Sequence, residues 1–261
     1  YTDQDYCNQK GMEVYGNEYA MHFPYHEWPA GRDKKLSPND AKIRELGGVM
    51  GAYNGWERAN WFAKPGDDTS EESTHTWLRA GPWEPRIREE CEAVRDACGV
   101  LDLPGFSRFW IQGKGADEWL RGFVTGGLPK IGRINLVYVA DKRGRIVTEF
   151  SCIRLDEDSF VLITAASAQR HDGELIRNNV PDGITVTETT NDRTALLVAG
   201  PTSRDVLAPL TDADLTTGWL THQHCKVAGR DAFLIRVSFT GELGWAGHAA
   251  NEAMAAIFEA V

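Results

Sequence analysis

The run Arg236-Val-Ser-Phe-Thr-Gly-Glu-Leu-Gly-Trp245 joins two kinds of pattern. Val237 and Phe239 alternate with polar neighbours, which predicts a half-buried strand over 232–239. Gly241 and Gly244 then bracket one carboxylate, Glu242. Glycines let a backbone turn tightly and approach a ligand closely. A carboxylate held in such a turn can accept two parallel N–H bonds from a planar donor edge such as an aminopyrimidine. The same spacing also fits a plain hairpin turn with a solvated glutamate, and the run by itself leaves both readings open.

Other reactive residue types give less. His171 and Asp172 fall next to each other in a segment expected to be helical, where neighbours point apart. No serine-nucleophile context accompanies them, so a hydrolase triad is not expected. His222 and His224 would share a face of an extended segment, but no third ligand completes a metal site. The five cysteines (7, 91, 98, 152 and 225) are odd in number and scattered. None stands in a Cys-x-x-Cys arrangement, which favours reduced thiols over a zinc site or a disulfide framework. Gly113-x-Gly115 lacks the third glycine of a dinucleotide loop.

The elements that must position these groups follow from periodicity. Helices are predicted at 84–98, 116–123, 168–178, 203–210 and 251–261. Strands are predicted at 109–112, 135–140, 146–155, 160–164, 185–189, 195–198, 225–227 and 232–239. Asp141-Lys-Arg-Gly144 makes a hairpin of two of them. Hairpins and helices alternate without a strict βα rhythm, so the expected class is α+β with antiparallel sheets. Residues 1–63, rich in aromatics, Pro and Gly, read as an irregular segment lying over a larger body. The acidic, turn-rich stretch 64–73 places a boundary at 73/74.

Composition bounds the partners. The 261 residues are 42% hydrophobic and 25% charged, with a net charge of −10. That charge disfavours nucleic-acid backbones, though a local basic pocket can still take an anion. No apolar run approaches 18 residues, so no membrane span is expected. The first ten residues are polar and acidic, unlike a signal peptide. The start at Tyr1 and the end at Val261 inside a helical pattern read as a piece of a longer protein. Homo-oligomerisation stays possible, and reduced thiols fit a bacterial cytoplasm or, second, a mitochondrial matrix.

Four segments taken together resemble the aminomethyltransferase (glycine cleavage T-protein) family. They are Cys98-Gly-Val-Leu-Asp102 with Phe106-Ser-Arg-Phe109, the stretch from Gly132 to Glu149, Ala199-Gly-Pro-Thr-Ser-Arg-Asp205, and the run from Arg236 to Trp245. Met21 to Arg32 and Gly55-Trp-Glu-Arg-Ala-Asn-Trp-Phe62 are similar to the connector of dimethylglycine and sarcosine dehydrogenase flavoproteins. There an FAD-bearing half precedes the folate-binding half.

The resemblance implies connector over 1–73 and an aminomethyltransferase-like folate-binding domain over 74–261, with FAD on a preceding domain and a small barrel following. It implies tetrahydrofolate as cofactor and an N-methyl amino acid, dimethylglycine or sarcosine, as substrate. Glu242 would hold the pterin ring. Glu149, where the family carries an aspartate, would stand beside the transferred carbon, stabilising cationic nitrogen and moving a proton. Its extra methylene displaces the carboxylate by about 1 Å, a scale that matters for catalysis. On residues alone, Glu149 could instead pair with Arg143 or Arg145. Arg236 would face the folate tail, Tyr138 would line the pocket, and Gly200 and Gly241 would bring backbone close to the ligand. His22, His26 and Trp28 would approach the flavin half. Two further readings are a folate-dependent aminomethyltransferase or demethylase without flavin, and a non-catalytic folate-binding module.

Overall fold

A computed structural model describes residues 3–22, 26–74, 77 and 80–261. The chain forms two compact units, 1–96 and 97–261.

In the first unit, α1 (Gln4–Gly16) starts at Asp3, whose side chain accepts the Tyr6 amide. A short α2 (Asp40–Glu45) leads into the antiparallel hairpin of β1 (Gly48–Tyr53) and β2 (Trp56–Phe62). Asn54 and Gly55 make its turn with φ of 53° and 82°, the left-handed pair that a two-residue hairpin needs. The expected irregular stretch is therefore corrected in part: a hairpin and two helices occupy it. Its interior is tied by charge. Glu57, almost fully buried, accepts Arg32 Nε at 2.8 Å, Arg32 Nη2 at 2.5 Å and the Asp33 amide at 2.9 Å. Residues 23–25 of the connector-like run lie outside the described residues. The His22 and Trp28 rings meet at a tilt of 38°, with centroids 4.7 Å apart. The unit closes with α3 (Glu71–Thr74) and α4 (Glu84–Asp96).

The second unit is built on two five-stranded antiparallel sheets. Its elements are β3 (Gly99–Asp102), β4 (Phe106–Gln112), α5 (Ala116–Phe123), β5 (Ile134–Ala140), β6 (Ile146–Arg154), β7 (Ser159–Ala165), α6 (Gln169–Arg177), β8 (Thr185–Glu188), β9 (Arg193–Ala199), α7 (Ser203–Leu207), β10 (His222–Val227), β11 (Arg230–Arg236), β12 (Gly244–Ala250) and α8 (Asn251–Ala260). One sheet has the order β10-β11-β12-β9-β3 and the other β5-β6-β7-β4-β8. This matches the α+β class expected from the pattern.

Each sheet buries its outer face under helices. Phe109, Ile111, Phe150 and Leu162 pack with Leu120 of α5 and Ile176 of α6. Leu196 and Ala232 pack with Met254 and Ile257 of α8. The inner faces meet each other. Arg108 of β4 donates from Nε to His248 Nδ1 of β12 at 3.2 Å, and from Nη1 to the carbonyls of Phe106 and Arg193. Burial pulls the Arg108 guanidinium down to about 10. Burial, and then the Arg108 charge, hold the His248 imidazole far below its usual value, so it is neutral and its Nδ1 accepts. Ala195 and Ala246, also on the inner face, are small enough to let the sheets approach.

Several boundaries move. β11 stops at Arg236, so Val237 and Phe239 lie in the loop. The glycine-rich end becomes β12, central in its sheet, with Trp245 only 1% exposed. β3 and β12 are strands that hydrophobic alternation did not reveal.

Candidate folate-type site

Glu149 lies on β6 directly across from Tyr138 of β5. By strand alternation it shares a face with Ser151 and Ile153. Ser151 pairs with Ile163, and Ile163 with Arg108. This is therefore the inner face, the one whose Arg108 reaches His248. Ile153 is buried on it, whereas Glu149 and Leu136 are exposed at its margin.

The β6–β7 pairing ends at Ser151 and Ile163, two residues short of Glu149. Beyond that point the sheet opens, with Tyr138 and Glu149 on one side and Ala165 paired to Phe106 on the other. Of the two alternative partners of Glu149, Arg145 is engaged elsewhere, its Nε bonding Asp141 at 2.7 Å. Among the described residues Glu149 makes no ion pair or side-chain hydrogen bond. A bulge precedes it: Val139 faces Thr148 and Ala140 faces Ile146, leaving Val147 without a partner.

Glu242 lies in the 237–243 connection of the β11–β12 hairpin. Thr240 Oγ1 donates to its Oε2. That bond, followed by the backbone, holds the Glu242 carboxyl below its usual value. Gly241 has φ 108°, a conformation that other residues adopt with strain, and its amide bonds Ser238 Oγ at 2.8 Å. Gly200 donates its amide to the Leu243 carbonyl at 2.8 Å, and Ser203 Oγ donates to the same oxygen at 3.1 Å. Gly244 is packed so closely that an added Cβ would meet the Val237 and Val198 carbonyls at 3.2 and 3.3 Å. Arg236 donates to the Gly244 carbonyl at 3.0 Å and lies 4.9 Å from the Trp245 ring centroid. Burial, then the nearby Arg204 charge, lowers its pKa.

The loop reaches the other sheet through Phe239, whose ring stacks on Phe106 with centroids 6.4 Å apart. Thus Gly200, Arg236, Gly241 and Glu242 form one cluster and Tyr138 with Glu149 a second. Phe106 stands between them on the open margin. Alternation alone did not single out Phe106, because its role comes from the contact with Phe239.

The histidines behave otherwise. His171 Nδ1 lies 2.8 Å from Asp172 Oδ1, so the two side chains do meet, contrary to expectation. His222 and His224 share a face as expected, but both rings pack on Phe233, at 4.8 and 5.0 Å. His222 Nε2 contacts the Arg154 carbonyl oxygen at 2.8 Å. Among the described residues no group of three His, Cys, Asp or Glu is arranged to hold a metal ion. Burial pushes the Cys152 thiol up to about 12, which leaves it unreactive. No helix among the described residues is long and apolar enough to cross a membrane.

The sequence and the fold have relatives. Residues 40–261 match the family described as the GCVT N-terminal domain, and the chain belongs to that family. Residues 1–37 match the FAD dependent oxidoreductase central domain. Mitochondrial dimethylglycine dehydrogenase of Rattus norvegicus is 31% identical over the whole chain. Mitochondrial sarcosine dehydrogenase of Mus musculus is 25% identical over 98% of it. The chain spans only 31% and 32% of the lengths of these two relatives. Glycine cleavage system aminomethyltransferase T from Bartonella henselae superposes with a TM-score of 0.69 at 21% identity, over 87% of this chain and 56% of that one. The fold is thus aminomethyltransferase-like, in the form carried by dimethylglycine and sarcosine dehydrogenases.

Proposed function

We propose that this chain is the folate-binding, carbon-accepting part of an FAD- and tetrahydrofolate-dependent N-demethylating dehydrogenase, acting on a small N-methyl amino acid. Dimethylglycine is the first candidate substrate and sarcosine the second, in keeping with the relatives' names. The observation that carries the reading is Glu149: an exposed, unpaired strand carboxylate at the margin towards which the Glu242 loop reaches through Phe239.

The residues fit a folate. Glu242 keeps Oε1 free and its charge low in pH, and so can accept N–H donors from the aminopyrimidine edge. Phe106, Phe239 and Tyr138 offer flat apolar surface for the ring system. Arg236 keeps further N–H groups for a ligand carboxylate beyond its bond to Gly244. When bound, tetrahydrofolate would supply the nucleophilic nitrogen that attacks the methylene iminium made by the flavin part, and release of the demethylated amine with ring closure would give 5,10-methylenetetrahydrofolate in place of free formaldehyde. Glu149 stabilises the cationic nitrogen that this attack creates and takes up the proton released on ring closure. FAD belongs to the preceding part of the parent, in a bacterial cytoplasm or a mitochondrial matrix, with self-association as a further possibility.

The test is a tetrahydrofolate titration of the intact parent, followed by tryptophan fluorescence, with Glu242→Ala and Glu149→Ala alongside. Saturable binding is expected in the parent and weakened roughly 10- to 100-fold in Glu242→Ala. Glu149→Ala should still bind while releasing formaldehyde. No binding by the parent, or unchanged product from Glu149→Ala, overturns the assignment.

A further inference from the structure

Asp172 is a buried acid that the proposed chemistry does not use. Its side chain is fully enclosed, yet among the described residues no arginine or lysine pairs with it. It accepts the Thr148 hydroxyl on Oδ2 at 3.0 Å, and its Oδ1 lies 2.8 Å from His171 Nδ1. An isolated carboxylate is costly to bury, so its place here calls for a reason. The reason lies next door. Thr148 directly precedes Glu149 and directly follows the unpaired Val147 of the bulge.

A strand beside a bulge has two nearby registers, differing in which residue is extra. A one-residue slip sends every side chain to the opposite face. Here it would turn Glu149 from the inner face into the core. It would also turn Phe150, now buried, out of that core. Pairing between β6 and β7 gives no help, since it stops at Ser151. From the helix side, the Thr148 hydroxyl is the group of this segment that reaches α6.

We infer that Asp172, steadied by His171, is a positioning residue: through Thr148 it locks the bulge register that aims the Glu149 carboxylate at the site margin. The inference deepens the function proposed above and rests on it for the role of Glu149, but the register lock itself can be read independently.

The experiment compares the intact parent with Thr148→Val, Thr148→Ser and Glu149→Gln. Hydrogen exchange of the peptides covering 146–150 reads the lock. The ratio of formaldehyde to 5,10-methylenetetrahydrofolate reads the chemistry, and tetrahydrofolate Kd reads binding. Thr148→Val should speed exchange at least tenfold over 146–150 and shift product several-fold towards formaldehyde. Its Kd should stay within about twofold, since Glu242 is untouched. Thr148→Ser, which keeps the hydroxyl, should restore both. Exchange unchanged in Thr148→Val overturns the lock, whatever the products. A Thr148→Val effect that Thr148→Ser does not reverse overturns it too, because packing rather than the hydroxyl then matters. Glu149→Gln with unchanged products overturns the function assigned to Glu149 while leaving the exchange result to decide the lock.

Discussion

The two acids are held in opposite ways. Glu149 stands on a strand whose next residue, Phe150, is wholly buried, and nothing on the surface grips its carboxylate. Glu242 stands on a loop, and its carboxylate is gripped locally by Thr240 while Gly241 and Gly244 shape the backbone. A group that must meet a reacting atom benefits from the rigidity of a sheet, because small displacements are expensive in rate. A group that must admit and clasp a ring benefits from a loop that can adjust. The contrast suits the roles proposed above, reacting for the strand acid and holding for the loop acid.

The contrast can be broken most violently at Phe150. Phe150→Ala should lower stability by about 3–5 kcal/mol, measured by chemical denaturation. If the loop acid is independent, Glu242-dependent folate binding should persist in the protein that remains folded. Next in size, Glu242→Ala should weaken tetrahydrofolate by roughly 10- to 100-fold, as loss of charge-assisted hydrogen bonds worth about 1.5–3 kcal/mol requires. Its denaturation midpoint should move little, because the bond its carboxylate makes to Thr240 stays within one loop.

A smaller effect is expected from Gly241→Ala. Its φ of 108° strains any other residue although the space around it is open. The loop should relax at a cost of about 1 kcal/mol, seen as a near fivefold rise in Kd by titration. The smallest effect is in pH. The Glu242 carboxyl is lowered below its ordinary 4.5, so it stays ionised below that value. The group favours the folded, ionised form above the ordinary pKa and loses that advantage only as pH falls through the lowered one. Folate affinity should accordingly hold down to pH 4.5 and decline beneath it; a decline centred above 4.5 would remove Thr240 from the argument.

Much of the scaffold was legible because one face of each element is buried. Ala116–Phe123 places Leu120 in the core and emerges with the predicted bounds. The Asp141-Lys-Arg-Gly144 turn joins β5 and β6 as its residue types demand. The misses have physical causes. Asn54-Gly55 is a strong hairpin signal, but the aromatic-rich surroundings hide the alternation on either side. Val237 and Phe239 alternate without pairing, because Phe239 is used to reach Phe106 and not to fill a strand face. β12 is built of Gly, Ala and His around Trp245, and small residues carry little periodic signal although they suit a strand buried on both faces. The two acids come from the family resemblance, since the Glu242 run by itself also fits a plain hairpin turn. The early end of the β6–β7 ladder and the Phe106–Phe239 contact belong to tertiary structure that no local pattern encodes.

The small inner-face residues Ala195 and Ala246 have a consequence for ligand size. Glu149 and the Glu242 loop belong to different sheets, so the span between them is a caliper whose jaws are set from inside the protein. Its opening depends on side chains that are buried between the sheets. Enlarging Ala195 or Ala246 by one or two methyl groups would widen it from within, and tune which length of molecule bridges the two acids.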